Sequence, residues 1–367
     1  MRATTTTSRE TLRIPGPTPV PPEVMAAMQW EMMPHRGEAF QEFYLETLRL
    51  ARLAHRTESD VLIFPGSGSA GWEAAIVNLF SPGDMVVAAI CGDFGARFAK
   101  VAATFGLDVR RLDVPWGEPV LPDAVNAALD AAPGAKALLV AYNETSTALM
   151  NPIEEIAKVV RAHDALIIVD AVSAAGGLPM EVDVWGLDLV LSGSQKAWMC
   201  PPGLMLTAIG PRAWEAYERS TFPRFFWDFG TARDNAAKGM SATTAPLTML
   251  YALRGALEMI QAEGLENVWD RHRRLATNVR TAITERGFEL FPNADFASNT
   301  LTGVRPPHGM AARDVVKAVR ERHGIEFEAG KGPIIDDIVR LGHMGWVHQP
   351  ELEIAVSALL DVLETAP

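Results

Sequence analysis

The chain has 367 residues, 48% of them hydrophobic, which is enough apolar material for two packed units. Its formal net charge of -12 repels phosphate backbones, so sequence-independent nucleic-acid binding is disfavoured and small-molecule chemistry becomes the expected class. Only two cysteines occur, Cys91 and Cys200, and neither stands in a CxxC or histidine-spaced cluster suited to zinc; this usage predicts a reduced, cytoplasmic setting and no metal.

The opening MRATTTTSRE has no apolar segment of the kind a secretory signal needs and reads as a flexible arm. No uninterrupted apolar run approaches the roughly 20 residues that span a bilayer, so a membrane role is not expected. After the proline-rich RIPGPTPVPPEVM, apolar runs alternate with helical patterns: DVLIF, DMVVAAI, DVRRLDV, KALLVAY, ALIIVD, DLVLSG and LMLTAIG. Strands separated by helices imply crossover connections and a mostly parallel sheet. Several runs are apolar at consecutive positions, as in strands covered on both faces. From SATTAPLTML onward the pattern becomes long and helical, a linking helix into a second unit, and NTLTGVRP, GIEFEAG and IVRLGHMG then suggest a small α+β cap. The expected organisation is an arm over 1–20, a large α/β domain over 21–250, and a linking helix with a small C-terminal domain over 251–367.

In FPGSGSAGWEAAIVNLF a short strand runs through small residues into a helix. Backbone N–H groups of Ser67, Gly68 and Ser69 would face an anion at that helix start, a favourable place for a phosphate. Gly66, Gly68 and Gly71 also spell GxGxxG, which keeps a NAD-binding oxidoreductase as an alternative. The acidic residue such a unit requires would be Asp93, but it lies beyond a glycine and past the strand end.

Asp170 closes ALIIVD, where open α/β sheets place ligand-binding side chains; alone it would read as a cap or turn residue. Lys196 follows at the end of another strand-like run, in VLSGSQKAWMCPPG, where an ordinary lysine would be a surface group. Here Ser192, Gly193, Ser194 and Gln195 precede it and Trp198 and CPPG follow, an unusual setting for a solvated side chain. A lysine, a carboxylate and a phosphate cradle on one sheet edge match the needs of pyridoxal 5'-phosphate: an amine to hold it, an acid for its pyridine nitrogen and donors for its phosphate. In a partly dry crevice the lysine would have a depressed pKa.

This constellation resembles the class V aminotransferases of pyridoxal-phosphate fold type I, in particular their alanine–glyoxylate and serine–glyoxylate branch. The resemblance rests on IPGPTPVP, GSGSAGWEAAIVNLFSPGD, NETSTALMNP, IIVDAVSAAGG, SGSQKAWMCPPG and VRLGHMG, in the family's order. It implies a large domain with a mostly parallel sheet plus a smaller C-terminal α+β domain. It also implies Lys196 as the cofactor-holding lysine, Asp170 on the pyridine nitrogen, Val172 on one ring face and Phe94 on the other. Ser67, Gly68, Ser69 and Gln195 would take the phosphate, Thr145 the ring hydroxyl, and Thr244 the phosphate of a neighbouring subunit in a homodimer with shared sites. Ser241 stands where the family often has a tyrosine. Arg340 matches the arginine that grips the substrate carboxylate, a task suited to a planar guanidinium. The spacing assigns no role to His35 or Arg36, and His343 is open between structure and function.

The expected reaction moves an amino group between alanine or serine and glyoxylate or pyruvate, in two half-reactions. A lyase of the same fold or an unusual amine donor is the alternative. A cysteine desulfurase would need a mobile nucleophilic cysteine late in the chain, and none follows Cys200.

Overall fold

The structure, a computed structural model, describes residues 11–365. The arm expected from MRATTTTSRE lies outside the described residues. Seven strands form the main sheet: β1 (Asp60–Gly66), β2 (Met85–Ile90), β3 (Asp108–Asp113), β4 (Ala137–Ala141), β5 (Leu166–Asp170), β6 (Leu189–Gly193) and β7 (Gly203–Ile209). Their spatial order is β1-β7-β6-β5-β4-β2-β3. Every pairing is parallel except those of β7, which runs antiparallel to both β1 and β6. Each run read as a strand forms one. All residues of β4, β5 and β6 are buried, which is why these segments lack alternation. The edge strand β3 carries Asp108, Arg110, Arg111 and Asp113, charges that discourage pairing with another chain.

Helices α1 (Glu38–His55), α2 (Gly68–Leu79) and α3 (Asp93–Thr104) belong to this large unit. Helix α2 lies close over the sheet because its glycines permit it. A Cβ at Gly71 would sit 3.2 Å from Leu191 and 3.3 Å from Met205, and one at Gly68 would overlap Val172. Close helix–strand packing therefore accounts for glycines that also spell a dinucleotide fingerprint. The long helical run expected after SATTAP is two helices, α4 (Leu247–Glu263) and α5 (Leu265–Thr284), broken at Gly264, whose φ of 85° suits glycine. Helix α4 packs on α1 and adds Leu250, Leu253, Leu257 and Ile260 to the main core.

A second core gathers Leu275, Val279 and Ile283 from α5, Val315 and Val319 from α6 (Ala312–His323), and Leu352 and Leu359 from α7 (Gln349–Glu364). It covers an antiparallel three-stranded sheet in the order β8 (Leu301–Val304), β10 (Val339–Gly342), β9 (Glu328–Ala329). The early chain is stitched to this smaller α+β unit. Thr11 and Leu12 pair in parallel with Ile325 and Glu326, and the Gly342 N–H donates to the Arg13 carbonyl at 2.6 Å. Residues 15 and 16 then pass directly over Lys196.

Candidate active site

Strands β1, β2, β4, β5 and β6 all finish at one edge of the main sheet, and the candidate residues collect there. Asp170 is the last residue of β5, in register with Ala141 on one side and Leu191 on the other. Its Oδ1 accepts from the Val172 N–H at 2.8 Å and its Oδ2 accepts from the Trp72 indole Nε1–H at 2.8 Å. Burial dominates its electrostatics and raises its pKa to about 6, against the opposing pull of these two donors.

Lys196 sits in a tight turn just beyond β6, and the small polar residues before it build that turn. The Trp198 indole donates to Ser192 Oγ at 3.0 Å, Ser194 Oγ donates to the Pro201 carbonyl at 2.7 Å, and Leu204 N–H donates back to Ser194 Oγ at 3.1 Å. Thr18 Oγ1 donates to the Lys196 carbonyl at 2.9 Å, tying the early chain to the turn. The side chain is buried and Nζ donates to the Pro15 carbonyl. Gly16 has to be glycine, since its φ is 131° and a Cβ there would meet Nζ at 2.5 Å. Burial is the largest influence on the amine and brings its pKa down to about 8; Glu328 works against that, and Arg340 and Lys331 with it.

The start of α2 opens on the same edge. Ser67 is its N-cap residue with no side-chain cap bond, and Gly68 and Ser69 form its first turn. Gln195 lies against it: a Cβ at Gly193 would be 2.9 Å from Gln195 Oε1 and 3.3 Å from the Gly68 nitrogen. Among the described residues Gln195 Oε1 is buried without a hydrogen-bond partner.

Phe94 stands in the first turn of α3, half-buried, with Lys331 Nζ 5.0 Å and the Arg97 guanidinium 5.7 Å from its ring centre. Glu144, fully buried in NETST, fixes it. The Glu144 carboxylate accepts from the backbone of Phe94 at 3.3 Å, Gly95 at 3.0 Å and Ser146 at 3.0 Å, and burial pushes its pKa up. The neighbouring Thr145 hydroxyl donates to Ser173 Oγ at 2.7 Å, leaving oxygen lone pairs to accept. Val172 follows Asp170 and packs over Gly68.

Arg340, in β10, is 1% exposed. It donates to the carbonyls of Ala329 and Thr145 and pairs with Glu328 at 2.9 Å. Thr244 is exposed, in the segment before α4, and Ser241 Oγ donates to the Thr243 carbonyl. His35 and Arg36 lie in the segment before α1, half-buried and exposed respectively. His343 is fully buried with Nε2 2.9 Å from Thr302 Oγ1, and burial lowers its pKa to about 3, a packing role. Both cysteines are buried with their pKa values raised, Cys91 to about 12. Among the described residues no group of three or more His, Cys, Asp or Glu side chains is placed to hold a metal, and no helix is long and apolar enough to cross a membrane.

Three residues here escape a reading of the sequence. Trp72 is one helical turn past Gly68 on α2, and a tryptophan in a helix of alanines was the available signal. Glu144 is a carboxylate in a stretch of small side chains. Glu328 reaches Arg340 only through the β9–β10 pairing, which no local pattern discloses.

The model of the family "Aminotransferase class-V" matches residues 12–335. A relative from Synechococcus sp. named soluble hydrogenase, small subunit, is 40% identical over 96% of this chain and 92% of its own length. The L-aspartate–glyoxylate aminotransferase of Paracoccus denitrificans is 35% identical over 92% of this chain and 87% of its own. Among solved structures, alanine–glyoxylate aminotransferase from Nostoc sp. superposes with a TM-score of 0.92 at 31% identity, covering 96% of this chain and 95% of that one. The dinucleotide alternative falls with these findings, and the glycines that suggested it serve helix packing. With that fold and this sheet edge, the chain belongs to the class V aminotransferases, in the alanine–glyoxylate and serine–glyoxylate branch, and is a pyridoxal-phosphate-dependent enzyme of fold type I.

Proposed function

We propose that the chain moves an amino group between alanine or serine and glyoxylate or pyruvate by a ping-pong mechanism. The observation that carries this reading is a buried lysine, Lys196, with a pKa near 8, set on the same sheet edge as Asp170 and ahead of a bare helix start.

The residues present fit pyridoxal phosphate. The uncapped α2 terminus offers the N–H groups of Ser67, Gly68 and Ser69 to a phosphate. Among the described residues Gln195 has a buried amide oxygen without a partner; turned about, the same amide presents the NH2 donors a phosphate accepts. Asp170 would hold the pyridine nitrogen protonated, and Val172 and Phe94 would pack its two ring faces. The Thr145 oxygen would accept from the ring hydroxyl. Thr244, exposed on its own chain, would serve the phosphate of a second copy, in a homodimer with shared sites.

The bound cofactor supplies an electron sink for the pair left when the Cα proton departs. Lys196, once free and neutral, takes that proton through Nζ. In the cofactor-free chain burial already lowers the pKa of this amine to about 8, and the same burial favours the neutral form the task needs. The Arg340 guanidinium would orient the substrate by its carboxylate.

A donor screen tests the reading. Alanine, serine and aspartate are added singly to the holoenzyme and the cofactor's absorbance is followed with no acceptor present. A true donor converts the cofactor to its amine form in one half-reaction. Parallel lines in double-reciprocal plots against glyoxylate support the ping-pong order. No conversion by alanine or serine, alongside conversion by another amine, replaces the substrate assignment.

A further inference from the structure

Arg340 is already holding a carboxylate. A guanidinium carries five N–H donors. In this chain Nε and Nη2 both bond to the Ala329 carbonyl at 3.0 and 2.7 Å, Nη2 also bonds to Glu328 Oε2 at 2.9 Å, and Nη1 bonds to the Thr145 carbonyl at 3.2 Å. The one donor left over lies on Nη1, too little for the two-nitrogen grip by which arginine orients a carboxylate.

The two partners of this ion pair differ in their freedom. Arg340 is 1% exposed and locked to two backbone carbonyls, whereas Glu328 is 43% exposed. Among the described residues the Glu328 carboxylate bonds to nothing but Arg340. It is held there by strand register, since Glu328 lies directly opposite Arg340 in the β9–β10 pair. Glu328 is also the strongest charge felt by the Lys196 amine, ahead of Arg340, Lys331 and Asp170. The seat it fills is thus on the guanidinium and inside the electrostatic field of the reacting amine, as the carboxylate of an α-amino acid would have to be.

Building on Arg340 as the carboxylate-binding residue, we infer that Glu328 is a specificity-determining residue: it occupies the carboxylate seat on Arg340, so that α-carboxylate ligands bind by displacing it. An amine without an α-carboxylate docks with the Arg340–Glu328 pair intact. Displacement sends Glu328 toward solvent, which its exposure permits, and transfers the Nη2 donor to the incoming ligand. The net gain of a carboxylate at this seat is then the difference between two similar bonds. The enzyme discriminates weakly in favour of α-carboxylates for that reason.

The test uses the holoenzyme and equilibrium binding by calorimetry. The probe is 2-methylalanine, an α-amino acid with no Cα proton, and isopropylamine supplies the same carbon skeleton without the carboxylate. Glu328→Gln keeps the shape and removes the charge; Glu328→Ala vacates the seat. Both should tighten 2-methylalanine by roughly tenfold, the worth of one hydrogen bond to a charged partner, and leave isopropylamine within about twofold. In turnover the KM for alanine should fall. Equal tightening of both ligands would show a pocket that has merely opened, and would overturn the assignment. Unchanged or weaker 2-methylalanine binding in both variants, with Arg340→Ala still weakening it, would also overturn it while leaving Arg340 in place. If Arg340→Ala binds 2-methylalanine as the parent does, the carboxylate clamp itself fails, and Glu328 has no seat to contest.

Discussion

The two ends of the main sheet carry similar residue types and put them to different use. At the amino ends of its strands a cavity of about 630 Å³ is lined by Asp84, Lys136, His163, Asp164 and Arg212. It is roomy and charged, yet its best-placed cation is balanced. Arg212 pairs with Asp188 at 3.2 Å and Asp164 at 3.3 Å, and also bonds to the Ala165 carbonyl. At the carboxyl ends the charges are unsettled: Asp170 is driven up to about 6, Lys196 down to about 8, and among the described residues a buried Gln195 oxygen has no partner. Volume marks the first end and perturbed, buried chemistry the second. The family's cofactor chemistry requires the second, so cavity size is a poor guide to the working end of this sheet.

The sharpest way to break this comparison is to remove one cation from each end. Lys196→Ala should lower kcat by at least about a thousandfold, because it deletes the proton-moving amine. Arg212→Ala should instead cost stability on the order of 1–3 kcal/mol, by leaving the buried Asp188 unpaired, with kcat within about twofold. Steady-state rates and thermal midpoints on both variants decide the matter. A catalytic collapse in Arg212→Ala would move functional weight to the amino end.

A second measurement asks whether the site stores instability. The folded chain holds Lys196 with a pKa near 8, below the ordinary 10.5, so the unfolded chain binds that proton more tightly. Stability of the cofactor-free chain therefore rises with pH between about 8 and 10.5, and the penalty is present in full below about 8. Lys196→Met should accordingly stabilise the cofactor-free protein at pH 7, by up to about 3 kcal/mol. The gain should fade as the pH approaches 10.5. Denaturant titrations at pH 7 and pH 10 check this, and a gain that does not depend on pH would mean that packing, not charge, is responsible.

How much of this was legible beforehand depends on sequence distance. The strands of the main sheet are short local patterns, and all seven could be read. The turn at Ser192–Gly203 could also be read, because the residues that build it, Ser192, Ser194, Trp198 and Pro201, lie within ten positions of Lys196. The break at Gly264 was hidden inside a helical pattern that continues on both sides of it. The placement of Pro15 and Gly16 over Lys196 joins residues about 180 positions apart through an intervening strand pair with Ile325 and Glu326, and nothing local announces it. Glu328 is similar: GIEFEAG reads as part of a small α+β cap, but the partner of Glu328 is fixed only by the register of the small sheet.

Trp72 offers the smallest expected effect and the finest probe of the carboxyl end. Its indole N–H reaches Asp170 Oδ2 at 2.8 Å from α2, while the ring stacks on Phe98 with centroids 5.8 Å apart and an angle of 18°. The bond favours ionised Asp170 and opposes the burial that raises its pKa toward 6. Trp72→Phe keeps most of the stacking and removes the donor. Asp170 then becomes easier to protonate, and the acid limb of kcat should move to higher pH by about one unit, equivalent to about 1.4 kcal/mol. The sign follows from the charge: an acid that loses a donor to its ionised form gains a higher pKa, so activity is lost at neutral pH and recovered as the pH is raised. At pH 7 the loss should be about twofold, growing toward tenfold as the pH falls below 6, and above pH 8.5 the variant should approach the parent. A uniform drop across the whole profile would instead assign Trp72 to packing alone, and Asp170 would then be held ionised by the Val172 N–H and its electrostatic surroundings without the indole.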